Sequence, residues 1–139
     1  MGNDTTMKSK KPKKNYKKEL DEVFAEYIRL RDSNGDTFRC ISCGQVKPMS
    51  QCQCGHYISR AHMATRFDEK NSNGQCISCN IFKSGNVVEY RFGLIDKYGE
   101  EVVNQLEAMR NDQRQIKDHE YKELIQYYKD KVKQMKDEL

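Results

Sequence analysis

The sequence predicts an α+β fold: a small, cross-linked core of two short strands and a helix, flanked by α-helices and closed by a long C-terminal helix. Three observations carry that prediction. Two C-x-x-C pairs, Cys40/Cys43 and Cys76/Cys79, are separated by the 32 residues from Gly44 to Gln75. In that spacing each tight knuckle supplies two sulfurs and one structural Zn2+ joins two distant segments. Only 36% of the 139 residues are hydrophobic and 33% are charged, so the apolar core is small and a metal substitutes for missing burial. The final stretch is long, charged and free of Gly and Pro, which reads as an extended helix.

Taken in order, the chain opens on a basic arm over residues 1–18, with Lys8, Lys10, Lys11, Lys13, Lys14, Lys17 and Lys18 crowded together. Such a run repels itself, is expected to stay disordered, and attracts polyanions or serves as a solubilising tail. Leu20, Val23, Phe24, Tyr27 and Ile28 then recur at helical spacing, predicting an amphipathic helix from Asn15 to about Arg31. Asp32-Ser33-Asn34-Gly35-Asp36 is a turn, and Thr37-Phe38-Arg39 a short strand delivering the first knuckle. Gly44 to Gln53 is polar, carries Pro48 and suits a loop or hairpin. His56-Tyr57-Ile58-Ser59 alternates as a strand does, and Ala61 to Gly74 reads as a connecting segment. The second knuckle should open a short turn of helix that stops at Ser84-Gly85-Asn86.

Two more helices follow. Val87 to Tyr98 carries Val88, Phe92 and Ile95 on one side and stops at Gly99; Glu101 to Met109 carries Val102, Val103, Leu106 and Met109. From about Gln113, two interleaved sets repeat every seventh residue, Ile125/Val132/Leu139 and Tyr121/Tyr128/Met135. That spacing makes a seam which serves either a homodimer or packing on the protein's own first helix. One domain spans residues 19–110 and the C-terminal helix residues 111–139.

Composition narrows the setting. Met1 to Lys18 is polar and basic, no apolar signal segment stands before the cysteines, and no run approaches the roughly eighteen apolar residues of a membrane span. Six cysteines in that context predict a reducing compartment, the cytoplasm, with the cysteines acting as metal ligands or free thiols. Cys52 and Cys54 form a C-x-C pair that offers alternative ligands, but they lie inside the loop without a matching second pair, and free thiols are the simpler reading. The terminal Lys136-Asp137-Glu138-Leu139 matches a retention tag only by coincidence.

Between the knuckles lie Gly55-His56-Tyr57-Ile58-Ser59-Arg60, Arg66-Phe67-Asp68-Glu69-Lys70-Asn71, then Gln75-Cys76, Cys79-Asn80, Ser84-Gly85-Asn86 and Tyr90-Arg91. The order Cys-x-x-Cys, His56, Asn71, Cys-x-x-Cys-Asn80 resembles the zinc-containing branch of the HNH (ββα-metal, treble-clef-like) endonucleases, which includes phage endonuclease VII. The longer string, over roughly residues 38 to 106, is similar to the NinG (Rap) family of phage recombination proteins, and is far more specific than the bare HNH pattern.

The resemblance implies a ββα-metal core and a role for each motif residue. His56 would be the base that deprotonates water, since an imidazole titrates near neutrality; its plain structural role is a packed surface histidine or a zinc ligand. Asn80 would bind a catalytic Mg2+ or Mn2+, ions that favour oxygen donors, or else cap the helix it begins. Asn71 would orient the loop bearing the base. Many relatives of this type have an Asp before the base where this chain has Gly55, so either the cation is held more weakly or a ligand arrives from elsewhere, with Asp68 or Glu69 the nearest candidates and His62 a substitute. Arg60, Arg66, Lys70, Lys83 and Arg91 surround this constellation and would contact DNA phosphates.

The resemblance therefore implies a metal-dependent endonuclease of branched DNA, such as Holliday junctions or D-loops, in a bacterial or phage-infected cell. Three rivals stand beside it: a non-catalytic zinc-finger DNA-binding protein, a general HNH nuclease of duplex, and an interaction protein acting through its C-terminal helix.

Overall fold

A computed structural model describes residues 14–139. The basic arm expected over residues 1–18 falls mostly on residues 1–13, outside the described residues. Helix α1 is Tyr16–Arg31, and the Asn15 side chain accepts a hydrogen bond from the Lys18 amide at 3.0 Å, an N-cap that satisfies one of the free amides of the first turn.

Strands β1 (Thr37–Arg39) and β2 (Val46–Pro48) pair antiparallel around the first knuckle, with Phe38 opposite Lys47. Strands β3 (Cys52–His56) and β4 (Ser72–Cys76) form a second antiparallel pair, Cys52 opposite Cys76 and His56 opposite Ser72. The polar segment before His56 is thus a hairpin arm, a 3-10 turn (Met49–Gln51) and a strand, and the strand ends at His56 instead of starting there. A short helix α2 (Met63–Arg66) bridges the two strands. A single π-helical turn, Ser78–Phe82, carries the second knuckle. Helices α3 (Val87–Tyr98), α4 (Glu100–Ala108) and α5 (Asp118–Asp137) complete the chain.

Three apolar clusters hold these elements. Leu20, Val23, Phe24 and Ile28 of α1 pack on Tyr121, Ile125, Tyr128 and Val132 of α5. Of the two uses open to the heptad seam, packing on the chain's own first helix is the one present. Lys129–Glu19 at 3.1 Å and Lys136–Glu26 at 2.8 Å flank the contact. A second cluster joins Tyr57 and Ile58 to Tyr90, Leu94, Val103 and Leu106, and a third gathers Phe38 with the buried cysteines.

Helix α3 does not bury the expected side. Tyr90 and Leu94 face inward, while Val88 and Phe92 are exposed. Two contacts set this rotation. The Tyr90 hydroxyl donates to the Gly55 carbonyl at 2.6 Å, and Gly93 lies so close to the first knuckle that a Cβ there would sit 1.9 Å from the Ile41 carbonyl oxygen. Apolar spacing along a helix cannot register either constraint.

Candidate functional site

The Sγ atoms of Cys40, Cys43, Cys76 and Cys79 all lie within 4.8 Å of one another, Cys43 and Cys76 at 3.9 Å. Four sulfurs sharing one tetrahedral Zn2+ at about 2.3 Å sit about 3.8 Å apart, so this cluster can hold a metal ion such as zinc. Amides face the sulfurs as they do thiolate ligands: the Cys76 N–H donates to Cys40 Sγ and Asn86 Nδ2 to Cys79 Sγ, each at 3.4 Å. Cys52 and Cys54 lie outside the cluster, and burial pushes both thiols up to about 12, so they are neutral.

Beside the cluster, α1, β3 and the π-helical turn enclose a cleft of about 560 Å3 lined by Asp21, Arg29, Gln53, His56, Arg60 and Asn80, with Ala25 and the two outlying thiols. His56 and Asn80, far apart in sequence, therefore share one cleft. His56 Nε2 lies 3.0 Å from the Arg66 carbonyl oxygen. A carbonyl can only accept, so Nε2 carries the proton and Nδ1 is the ring's acceptor. Burial lowers the His56 pKa to about 4 despite that hydrogen bond, which keeps the ring neutral at physiological pH. Asn80 Nδ2 donates to Gln53 Oε1 at 2.7 Å, turning the amide so that its own oxygen is left to accept.

Asn71 is fully buried. Its side chain accepts from the Ile58 N–H at 2.9 Å and donates to the Ile58 and Thr65 carbonyls at 3.0 and 3.1 Å, so it pins the segment that leaves His56.

The charged residues divide. Arg60 lines the cleft and is exposed. Arg66 is mostly buried: its Nε and Nη2 grip Asp21 bidentately, Nε at 3.1 Å, while its Nη1 donates to the Arg60 carbonyl at 2.7 Å. Its guanidinium therefore braces the cleft instead of facing it. Lys70 and Lys83 are exposed and do not line the cleft, and Arg91 pairs with Glu107 at 2.9 Å. The carboxylates named for a cation do not line the cleft. Asp68 accepts from the Lys70 amide at 2.9 Å, and the two oxygens of Glu69 accept from Tyr27 and Tyr128, both at 2.9 Å. His62 Nδ1 is bonded to the Arg110 carbonyl.

Asp21, Arg29 and Gln53 are the cleft residues that sequence reasoning missed. Asp21 and Arg29 belong to a helix whose apolar stripe was legible, but nothing in that stripe says which polar neighbours face a site formed by β3. Gly55 has its own account. A Cβ there would lie 2.0 Å from Gln75 Oε1, and Gln75 is fully buried, donating to Ser42 Oγ at 2.8 Å and to the Gly85 carbonyl at 2.7 Å. The position before His56 has no room for an aspartate.

The family model described as "Bacteriophage Lambda NinG protein" matches residues 4–138. The chain is 39% identical over 105 residues to Protein ninG of Escherichia phage 933W, covering 75% of this chain and 50% of that protein. It is 38% identical over 105 residues to the phage lambda protein of the same name, with the same coverage. With the Salmonella phage P22 protein it shares 35% identity over 128 residues, 91% of this chain and 61% of that one. The chain thus spans about half the length of the curated relatives it matches. No solved structure matches it. Among the described residues, no helix is long and apolar enough to cross a membrane.

Proposed function

The chain belongs to the NinG family of bacteriophage proteins, and we propose that within it the His56 cleft is the hydrolytic centre of a metal-dependent endonuclease acting on branched DNA. The observation that carries this reading is the pairing of a neutral imidazole, its Nε2–H fixed on the Arg66 carbonyl, with the Asn80 carboxamide across one basic cleft. The order of Cys-x-x-Cys, His56, Asn71 and Cys-x-x-Cys-Asn80 supports it, because it resembles the zinc-containing HNH endonucleases. The branched substrate rests on the NinG resemblance, since the residues themselves speak only for phosphodiester chemistry.

In this reading His56 Nδ1 takes the proton from the attacking water. Arg29 and Arg60 hold the strand by its phosphates, without reading bases. Asp21 and Arg66 keep the imidazole's tautomer and the Arg60 backbone in place. The four cysteines would hold Zn2+ with no open position, a structural role. Asn80 Oδ1 would hold Mg2+ or Mn2+, which keep several waters and need few protein oxygens; that ion supplies charge stabilisation at the scissile phosphate and the leaving oxygen.

The test incubates the purified protein with a four-way junction and with linear duplex, each with and without Mg2+ or Mn2+. Cleavage of the junction that needs the cation, and that falls roughly 100-fold or more in His56→Ala with bound zinc and junction affinity unchanged, is the expected result. Equal cutting of linear duplex would make it a general nuclease. One observation favours a second reading, a DNA-binding zinc module without cleavage: among the described residues, the one carboxylate lining the cleft, Asp21, is gripped by Arg66. Binding without cleavage under every cation would establish that reading and sink the first.

A further inference from the structure

Directly after Asn80, the chain displays Ile81 and Phe82 to solvent, 55% and 79% exposed. A phenylalanine at that exposure is an unusual use of an aromatic side chain in a protein with so small a core. We propose that Phe82, with Ile81 beside it, is a wedge that stacks on an unpaired or branch-point base of the DNA whose phosphate enters the His56 cleft; the proposal rests on the nuclease reading above and names the feature of the substrate that the site would recognise.

Three arguments carry it. The first is rigidity. One residue on, past Lys83, three successive residues have positive φ, Ser84 at 50°, Gly85 at 89° and Asn86 at 42°, conformations that cost non-glycine residues energy and persist only where surroundings enforce them. Here they are enforced: the Gly85 amide donates to the Cys79 carbonyl at 2.9 Å, the Lys83 amide to the Ser78 carbonyl at 2.9 Å, Gln75 Nε2 to the Gly85 carbonyl, and Asn86 Nδ2 to Cys79 Sγ. The turn is riveted to the cysteine cluster and holds Phe82 away from every apolar cluster of the fold. A preset aromatic loses little entropy on stacking, which suits a wedge.

The second is charge. Phe82 stands between Asn80, which lines the cleft with Arg29 and Arg60, and the exposed Lys83, so a polyanion is favoured on both sides of it. Farther along, Val88 and Phe92 lead to another cleft whose lining sets Asp32, Glu89 and Asp96 against Arg39 and Lys97, a less favourable surface for a polyanion than the His56 side. The wedge is therefore the Ile81–Phe82 end of the apolar surface.

The third is area. Ile81, Phe82, Val87, Val88 and Phe92 together expose on the order of 500 Å2, short of the roughly 800 Å2 that each partner of a stable protein interface buries. A base inserted at a branch needs far less, and branch points already have the weakened stacking that apolar wedges exploit.

The experiment uses the full chain and four-way junctions carrying 2-aminopurine either at the branch point or mid-arm, titrated without added divalent cation. Wild type should change the fluorescence of the branch-point label only. Phe82→Ala should abolish that change and lose roughly tenfold in junction affinity, the order of one base–aromatic stack, with duplex affinity, zinc content and circular dichroism unchanged. Phe82→Trp should restore the signal. Unchanged junction binding by Phe82→Ala, or equal losses on junction and duplex, would overturn the wedge while leaving the nuclease reading standing. So would a wild-type dimer, seen by sedimentation, that Phe82→Ala dissociates, since the surface would then serve a second copy. Wild type that binds neither DNA overturns the nuclease reading itself and the wedge with it.

Discussion

Gly55 and His56 are adjacent, and opposite demands fall on them. At Gly55 the missing side chain is a requirement, because Gln75 Oε1 occupies the space a Cβ would take. Gly55→Ala must expel a fully buried amide that ties the first knuckle to the turn after the second, and should cost about 2–4 kcal/mol in urea denaturation. The double variant with Gln75→Ala should cost less than the sum of the two singles; additive costs would show that the two residues do not compete for space. His56 is half-buried, and desolvation by the surrounding protein lowers its pKa from 6.5 to about 4. Between those values the unfolded chain takes up a proton that the folded ring refuses, so stability is fully present above pH 6.5 and is lost as pH falls toward 4. From pH 7 to pH 5 wild type should lose about 2 kcal/mol more than His56→Gln, and parallel losses would mean the ring is not buried in solution. His56 and Asn80 were legible because motif spacing names them. Gln75 and Asp21 were not, since their roles arise from contacts with residues far away in the chain.

Strand β4, Ser72-Asn73-Gly74-Gln75-Cys76, is buried at every position yet has no apolar alternation to announce it. Most of its polar groups are answered from other elements, Ser72 Oγ and Gln75 Oε1 excepted: Arg31 Nη2 donates to the Ser72 carbonyl at 2.8 Å, Asn73 Nδ2 to the Tyr90 hydroxyl at 3.2 Å, and the Gly74 amide to Asp32 at 2.8 Å. Polar satisfaction of this kind is a property of the assembled fold, which is why the segment read as a connection. The knuckles at its end were legible because paired C-x-x-C spacing is the pattern that lets four sulfurs share one metal ion. The two facts meet at Cys76, the last residue of β4 and a member of the cysteine cluster. Cys76→Ser should lose the bound zinc by elemental analysis and strip hydrogen-exchange protection from the β4 amides. Cys52→Ser, buried on the paired strand but outside the cluster, should keep one zinc per chain. Loss of zinc in both variants alike would show that the cluster is not the metal site.

The cleft lies where two halves of the molecule meet, one built from α1 and α5 and the other from the cysteine cluster with its strands. Its Asp21 and Arg29 come from α1, its His56, Gln53 and Asn80 from the other half. Helix α1 owes its position to α5, whose Tyr121, Ile125, Tyr128 and Val132 cover its apolar face. The heptad spacing made that seam visible, though spacing alone could not choose between a second copy and α1, because both present the same apolar stripe. Truncating the chain after Arg110 removes four buried side chains worth roughly 6–12 kcal/mol of transfer energy, comparable to the whole stability of a domain this size. It also removes the Tyr128 hydroxyl that, with Tyr27, holds Glu69. The truncated chain should therefore lose the α1 contribution to helical circular dichroism, and with it Asp21's grip on Arg66 and the carbonyl that fixes His56. Metal content should survive better than cleavage, because the cysteine cluster draws no residue from α1 or α5. If the proposed nuclease activity is present, a truncated chain that still cut a junction at the wild-type rate would show that His56 is positioned without α1, and that the long C-terminal helix serves something other than the cleft.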